Sequence, residues 1–245
     1  MYTHFTLRLF LVGTLLLSTS SLAKVEVTIN ETVYTYSTNP RLSDVLRPVA
    51  FQESWYWPNT QLFSRNTNQA QELRQQIVKM LAIQSKENKK HQAIYGNIAK
   101  QLENWEIADR VAIQIDYELS RISPKNNPLF EDGLYQVFLT KRPTNIKVFG
   151  AIDKELVLPF KNNTCVKDIV STITFSDYAD KSYVYLISPQ GQIEKSPIAY
   201  WNNKCTIPMP GSALYVPLQE NFFSKVHGVI NRDILALAVD RINIR

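Results

Sequence analysis

Ile146-Lys147-Val148-Phe149-Gly150-Ala151-Ile152 is the stretch from which the fold is read. It is a strand with a glycine inside it, and a strand glycine marks a bulge or a close approach of another backbone. Leu156 to Pro159 supplies a hairpin partner. Asn163-Thr164 then caps a helix carrying Val166, Ile169 and Val170. Tyr183 to Ile187 is a second strong strand, closed by the turn Ser188-Pro189-Gln190-Gly191. Pro210-Gly211 turns the chain into Ala213 to Val216. Hairpin, helix and strands in this order make a small α+β unit.

The same order opens the chain. Val25-Glu26-Val27-Thr28-Ile29 alternates apolar and polar residues, and Asn30-Glu31 turns it into Thr32 to Tyr36. Thr38-Asn39-Pro40 precedes a short helix through Leu42, Val45 and Leu46 that stops near Pro48. The repetition is a weak internal duplication of pattern rather than of residues. Ser64 to Trp105 interrupts the first unit. Ala70, Leu73, Ile77, Met80 and Leu81 share one helical face, as do Ile94, Ile98, Leu102 and Trp105. A single helix of that length would project about 60 Å, so the polar stretch Ser85 to His91 is read as the turn of a helical hairpin. Strand patterning returns at Val111, Ile113 and Ile115, and again from Leu134 to Thr140. Lys141-Arg142-Pro143 marks the boundary between the units. The last segment, residues 219–245, carries Phe222, Val226, Val229, Ile230, Ile234 and Leu237 at helical spacing, with Glu220 at its start and Arg241 and Arg245 at its end. Its apolar stripe suits packing on its own domain, the commoner use, or a membrane or partner surface.

The expected organisation is thus a leader at 1–23, a first domain at 24–142 with its helical insertion at about 64–106, a second domain at 143–218, and the C-terminal amphipathic helix. In the leader, Arg8 precedes the apolar run Leu9 to Leu17, and Ser21-Leu22-Ala23 is a small-x-small cleavage site. The run is too short to span a bilayer. This predicts a cleaved secretory signal and, in a Gram-negative cell, a periplasmic product. Of 245 residues, 44% are hydrophobic and 20% charged, which excludes a disordered chain. Loss of Arg8 leaves 26 basic against 22 acidic residues, a formal charge of +4, too modest and too scattered to favour nucleic acid as a partner. Only 2 Cys are present, and an oxidising compartment pairs Cys165 with Cys205. Such a cross-link contributes roughly 4 kcal/mol by constraining the unfolded chain.

Val148 to Ile152, the helix at Cys165 to Val170, Val184 to Ile187 before Pro189-Gln190-Gly191, and Pro210 to Val216 fall in an order that resembles the soluble-ligand-binding β-grasp module (SLBB-like) of bacterial outer-membrane polysaccharide exporters. With Trp57-Pro58, the helical insert, Lys141-Arg142-Pro143, Tyr200-Trp201-Asn202 and the amphipathic tail, the mature chain resembles the capsule-biosynthesis GfcC family almost end to end. The resemblance implies two β-grasp domains, a periplasmic location, and a role in capsule or exopolysaccharide assembly and export. Polysaccharide, outer-membrane polysaccharide export proteins, or both would be the partners. It implies no reaction. The exporters carry a lipidated cysteine and cross the outer membrane with their terminal helix. This chain has no cysteine at the leader junction, and its tail carries Asn231-Arg232-Asp233 and Asp240-Arg241, which argues against a pore.

Motifs for chemistry are sparse, and no cofactor or metal is predicted. His91 and His227 stand in separate helices without ligand spacing and are expected at the surface. There is no G-x-S-x-G, G-x-G-x-x-G or P-loop. Asp116 and Glu118, two apart on an expected strand edge, share a face and are the one candidate for paired-carboxylate work on a glycan. A solvated strand edge gives the same spacing. Asp153 and Glu155 fall in a turn. Ligand binding is expected instead from Trp55 and Trp57, whose rings can stack on sugar C–H faces, and from Arg142 and Arg110, which can pair with acidic substituents. Core packing and a stem covering apolar surface are the ordinary alternatives for these residues. Arg110 is preferred because the helical insert re-enters the sheet there, a junction that borders a cleft in the family layout.

Overall fold

The computed structural model describes residues 25–200, 204–220 and 225–242. The leader and its cleavage site, Trp201, Asn202, Phe222 and Arg245 lie outside the described residues. The fold is mixed α+β, with two five-stranded mixed sheets and six helices among the described residues. The first sheet contains β1 (Val25–Ile29), β2 (Thr32–Tyr36), β3 (Gln61–Ser64), β4 (Asp109–Arg110) and β5 (Gly133–Phe138). Its spatial order is β2-β1-β5-β3-β4, with β1 and β5 parallel and the other neighbours antiparallel. The second contains β6 (Asn145–Gly150), β7 (Leu156–Pro159), β8 (Tyr183–Ile187), β9 (Ile193–Pro197) and β10 (Ala213–Val216), in the order β7-β6-β10-β8-β9, with β6 and β10 parallel. Both sheets place their strands second, first, fifth, third, fourth, so the duplication read from pattern is a duplication of topology.

Alternation forms β1, whose Val25, Val27 and Ile29 all point into the first core. Asn30 makes the tight turn at φ 51°, a left-handed conformation that Asn tolerates. Helix α1 (Leu42–Leu46) closes this core with Leu42, Val45 and Leu46, and α4 (Tyr117–Ile122) packs beside it. Burying each such side chain contributes about 1.5–3 kcal/mol.

The helical pair is α2 (Gln69–Glu87) and α3 (Gln92–Glu103), joined through a 3-10 turn at Lys89–His91. It lies within the sequence of the first unit but packs into the second core. Ile77, Leu81, Ile98 and Leu102 join Val148, Phe149, Leu214 and Tyr215 of the second sheet, and Ile230, Ile234 and Leu237 of α6 (Val226–Val239). Two buried amides pin the helices to the sheet. Gln101 on α3 accepts from Gly150 N–H (2.9 Å) and donates to Gly150 and Ile152 carbonyls (3.1 and 3.3 Å). Asn231 on α6 accepts from Tyr215 O–H (2.8 Å) and Leu218 N–H (2.9 Å) and donates to Leu218 C=O (2.8 Å). Gly150 sits at φ 107°, and a Cβ there would lie 2.3 Å from Val216 C=O, which is the close approach its place in the strand implied. Cys165 and Cys205 are bonded, and Cys165 is the N-cap of α5 (Val166–Val170).

Several local expectations are corrected. Residues 111–115 form no ladder. Val111, Ile113 and Ile115 turn toward the first core as their alternation requires, but the ladder with β3 stops after Val111 N–H donates to Leu62 C=O (2.9 Å), because Ile113 N–H then turns back on Val111 C=O (2.9 Å). Asp116 is not on a strand edge. It is the N-cap of α4 and accepts from Leu119 N–H at 3.0 Å, while Glu118 pairs with Arg121 at 3.2 Å. The cap of α5 is Cys165 rather than Asn163-Thr164. That of α1 is Arg41, while Asn39 reaches Phe130 C=O and Asp132. His227 is 5% exposed; its Nδ1–H donates to Gln219 C=O (2.7 Å), and its Nε2 stands 2.8 Å from the Tyr95 hydroxyl. With a carbonyl at Nδ1, which must be protonated to bond it, Nε2 of the neutral ring accepts from Tyr95. His91 stacks on Tyr178 at 3.8 Å, in the turn rather than in a helix.

Candidate functional site

Three of the four residues expected to bind ligand gather on one surface of the first unit. The loop after α1 runs over residues 47–60 and is tied to the segment after β5 by Tyr56 N–H to Thr140 C=O (2.8 Å) and Asn59 Nδ2 to Thr140 Oγ1 (2.7 Å). Trp55 is half-buried against the first core, and its indole N–H donates to Val49 C=O at 2.8 Å. Trp57 opens a 3-10 turn, Trp57–Asn59, on the same core. Between them Tyr56 carries the exposed Arg142, whose guanidinium carbon stands 5.6 Å from the ring centroid. Lys141 pairs with Glu53 at 3.0 Å alongside.

Arg110 stands elsewhere, at the seam between the units. Its backbone N–H donates to Asp240 Oδ1 (2.9 Å), and its guanidinium donates to Pro189 C=O (2.7 Å) and Val239 C=O (3.4 Å). One cation thus joins β4, the turn between β8 and β9, and the C-terminal end of α6, where a positive charge is favoured. Burial lowers its pKa to about 10, opposed by the Asp240 charge, so the group stays cationic at neutral pH. The residues beyond α6 continue the seam. Ala108 N–H donates to Asp240 C=O (3.1 Å), Ile242 N–H to Glu106 C=O (2.9 Å), and Ile107 bridges Arg241. Arg241 pairs with Glu155 at 2.7 Å and lies 4.5 Å above the Trp105 ring, whose N–H also reaches Glu155 (3.1 Å). Lys147 beside them has its pKa lowered to about 8, by burial first and then by the Arg241 charge.

A third feature has almost no trace in the order of residues. Between α1 and α4 lies an open groove of about 610 Å³ lined by Ser43, Arg47, Phe51, Tyr117, Arg121 and Asn127. Its floor is buried Tyr117. Phe51 meets that ring edge-on at 5.5 Å and leaves 75% of its own surface in solvent, and the Arg121 guanidinium lies 5.6 Å from the Tyr117 centroid. Asn127 fixes one wall by accepting from Ser43 N–H (2.9 Å) and donating to Ser43 Oγ (3.0 Å). The only sequence signal is Phe51 at the end of Pro48-Val49-Ala50-Phe51, a run that reads as packing.

Capsule-biosynthesis families match both halves of the chain: the GfcC N-terminal family over residues 21–142 and the GfcC C-terminal family over 154–243. The chain belongs to the capsule-biosynthesis GfcC family. A curated relative, "Uncharacterized protein YjbG" of Escherichia coli (strain K12), is 30% identical over 204 residues, covering 82% of each chain. The two GfcC matches leave out residues 143–153, which hold β6, the strand that pairs with both β7 and β10. The Arg241–Glu155–Trp105 seam therefore joins a residue of the N-terminal GfcC match to two of the C-terminal one.

Proposed function

We propose that this GfcC-family chain is a non-enzymatic periplasmic accessory protein of capsule or exopolysaccharide assembly or export. It acts by binding polysaccharide, outer-membrane export proteins, or both. Its two sheets are taken as β-grasp units, a reading supported by their common strand order. The observation that carries the proposal is the near end-to-end family match, from 21 to 142 and from 154 to 243. The carboxylate-pair alternative loses its basis, because Asp116 caps α4 and the two carboxylates do not share a strand edge. Action through the tail at a membrane is disfavoured because α6 buries Ile230, Ile234, Leu235, Leu237 and Ala238. Among the described residues no helix is long and apolar enough to cross a membrane.

The test is a deletion strain of the source organism complemented in trans, with surface polysaccharide quantified and the protein located by osmotic-shock fractionation. The expected result is lost or reduced surface polysaccharide, restored by the wild-type gene, with the protein in the shock fluid. Unchanged surface polysaccharide in the deletion strain would refute the proposal.

A further inference from the structure

We infer that the groove between α1 and α4 is a binding subsite for an acidic pyranose, a uronate residue of a polysaccharide; this rests on the polysaccharide-binding reading above. The argument begins with Phe51. Its ring stands perpendicular to that of buried Tyr117, yet 75% of its surface faces solvent, so most of this aromatic surface is not used by folding. A sugar ring offers apolar C–H faces to such a surface while its hydroxyls require polar partners. The groove has them. Arg47 and Arg121 stand at its two helices with 69% and 53% of their side chains exposed.

Each guanidinium is engaged by an acid three residues earlier on its own helix, Arg47 with Asp44 at 2.8 Å and Arg121 with Glu118 at 3.2 Å. Exposed pairs of this kind are weak, and each uses a single nitrogen of a fork that carries five N–H donors. The remaining donors suit the two oxygens of a sugar carboxylate. The Ser43 hydroxyl, which accepts from Asn127 Nδ2, keeps its own hydrogen to donate. The volume of about 610 Å³ lies within the range of small-ligand clefts and exceeds what one ring fills. The groove is open to solvent, so a polymer segment can reach it from outside. The groove shares no residue with Trp55, Trp57, Arg142 or Arg110.

The defined probe is trigalacturonate, titrated into the isotopically labelled mature protein and followed by NMR, with its carboxyl-reduced trisaccharide as the neutral control. The expected result is saturable binding with shifts at Phe51 and Tyr117, weakened roughly tenfold by Phe51→Ala, by the pair Arg47→Gln and Arg121→Gln, and by reduction of the probe's carboxylates. The substituted side chains are exposed, so the fold is retained and the unchanged thermal transition confirms it. Absence of binding at millimolar probe, binding indifferent to the substitutions, or equal binding of the reduced trisaccharide would overturn the inference. Complementation separates this failure from failure of the general reading. If the groove variants restore surface polysaccharide fully in the deletion strain, the accessory function stands and the groove is not its site. If wild type itself restores nothing, the general reading falls.

Discussion

Replacing Asn231 by Ala removes the polar pin between α6 and the second sheet. The side chain is 2% exposed and makes three hydrogen bonds, to Tyr215 O–H and to both main-chain groups of Leu218. Truncation strands a donor and an acceptor on Leu218 and the hydroxyl of Tyr215, both fully buried residues. A buried polar group left without a partner costs about 1–3 kcal/mol, and one water entering the vacated space recovers part of the sum. The expected loss is about 3–5 kcal/mol, or a fall in Tm of roughly 6–20 °C for a chain of this size. Urea titration with an unchanged m-value would assign the loss to the folded state, and faster amide exchange along α6 would locate it. Arg232→Ala next door is the control. Its side chain is 72% exposed and pairs with the neighbouring Asp233, so it should change stability by less than about 0.5 kcal/mol. A loss below about 1 kcal/mol for Asn231→Ala would refute the reasoning, because α6 would then be held by its apolar stripe alone.

Gly150→Ala should destabilise by at least about 3 kcal/mol, combining the strain of φ 107° with a Cβ 2.3 Å from Val216 C=O; a native-like melting transition would contradict this. Lys147 has its pKa lowered to about 8 in the folded chain, so the unfolded state holds its proton more tightly and stability rises as pH increases from about 8 toward 10.5. Relative to Lys147→Met, the wild type should therefore gain stability between neutral pH and about pH 10, by at most about 3 kcal/mol before solvent screening; a pH-independent difference would exclude the effect. Cys165→Ser with Cys205→Ser should lower stability by about 4 kcal/mol or less, since the bond closes 40 positions of chain. Reducing agent should shift the wild type, but not this variant, by the same amount.

Both hairpins, the helical pair and the paired cysteines were legible because each rests on a local signal: alternation in Val25 to Ile29, apolar spacing in α2 and α3, and an even cysteine count. Residues 111–115 form no strand because alternation reports which way side chains face, not whether the backbone stays in the ladder, and here Ile113 N–H turns back on Val111 C=O. Asp116 could have been placed from the sequence, since Asp before Tyr117-Glu118 with acid in the first turn is a helix-start pattern. The groove was not legible, because Phe51 and Tyr117 are 66 positions apart by residue number and meet only once α1 and α4 pack. His227 was misplaced for a related reason. Its partners Tyr95 and Tyr178 come from the insertion and from the second unit, and no single segment announces them.

The helical pair has a consequence for how this chain can change through descent. A fragment ending at residue 142 would keep Ile77, Leu81, Ile98 and Leu102 without the second sheet and α6 that complete their core, and one beginning at 143 would lose the helical pair that packs on Phe149. The halves are therefore not exchangeable modules, although each has its own sheet. A recombination event that borrows one half from a relative must preserve the complementarity of Trp105 with Phe149, Gln101 with Gly150 and Arg241 with Glu155. Substitutions along this seam are expected to arise in compensating pairs, while the two sheets' outer edges drift independently.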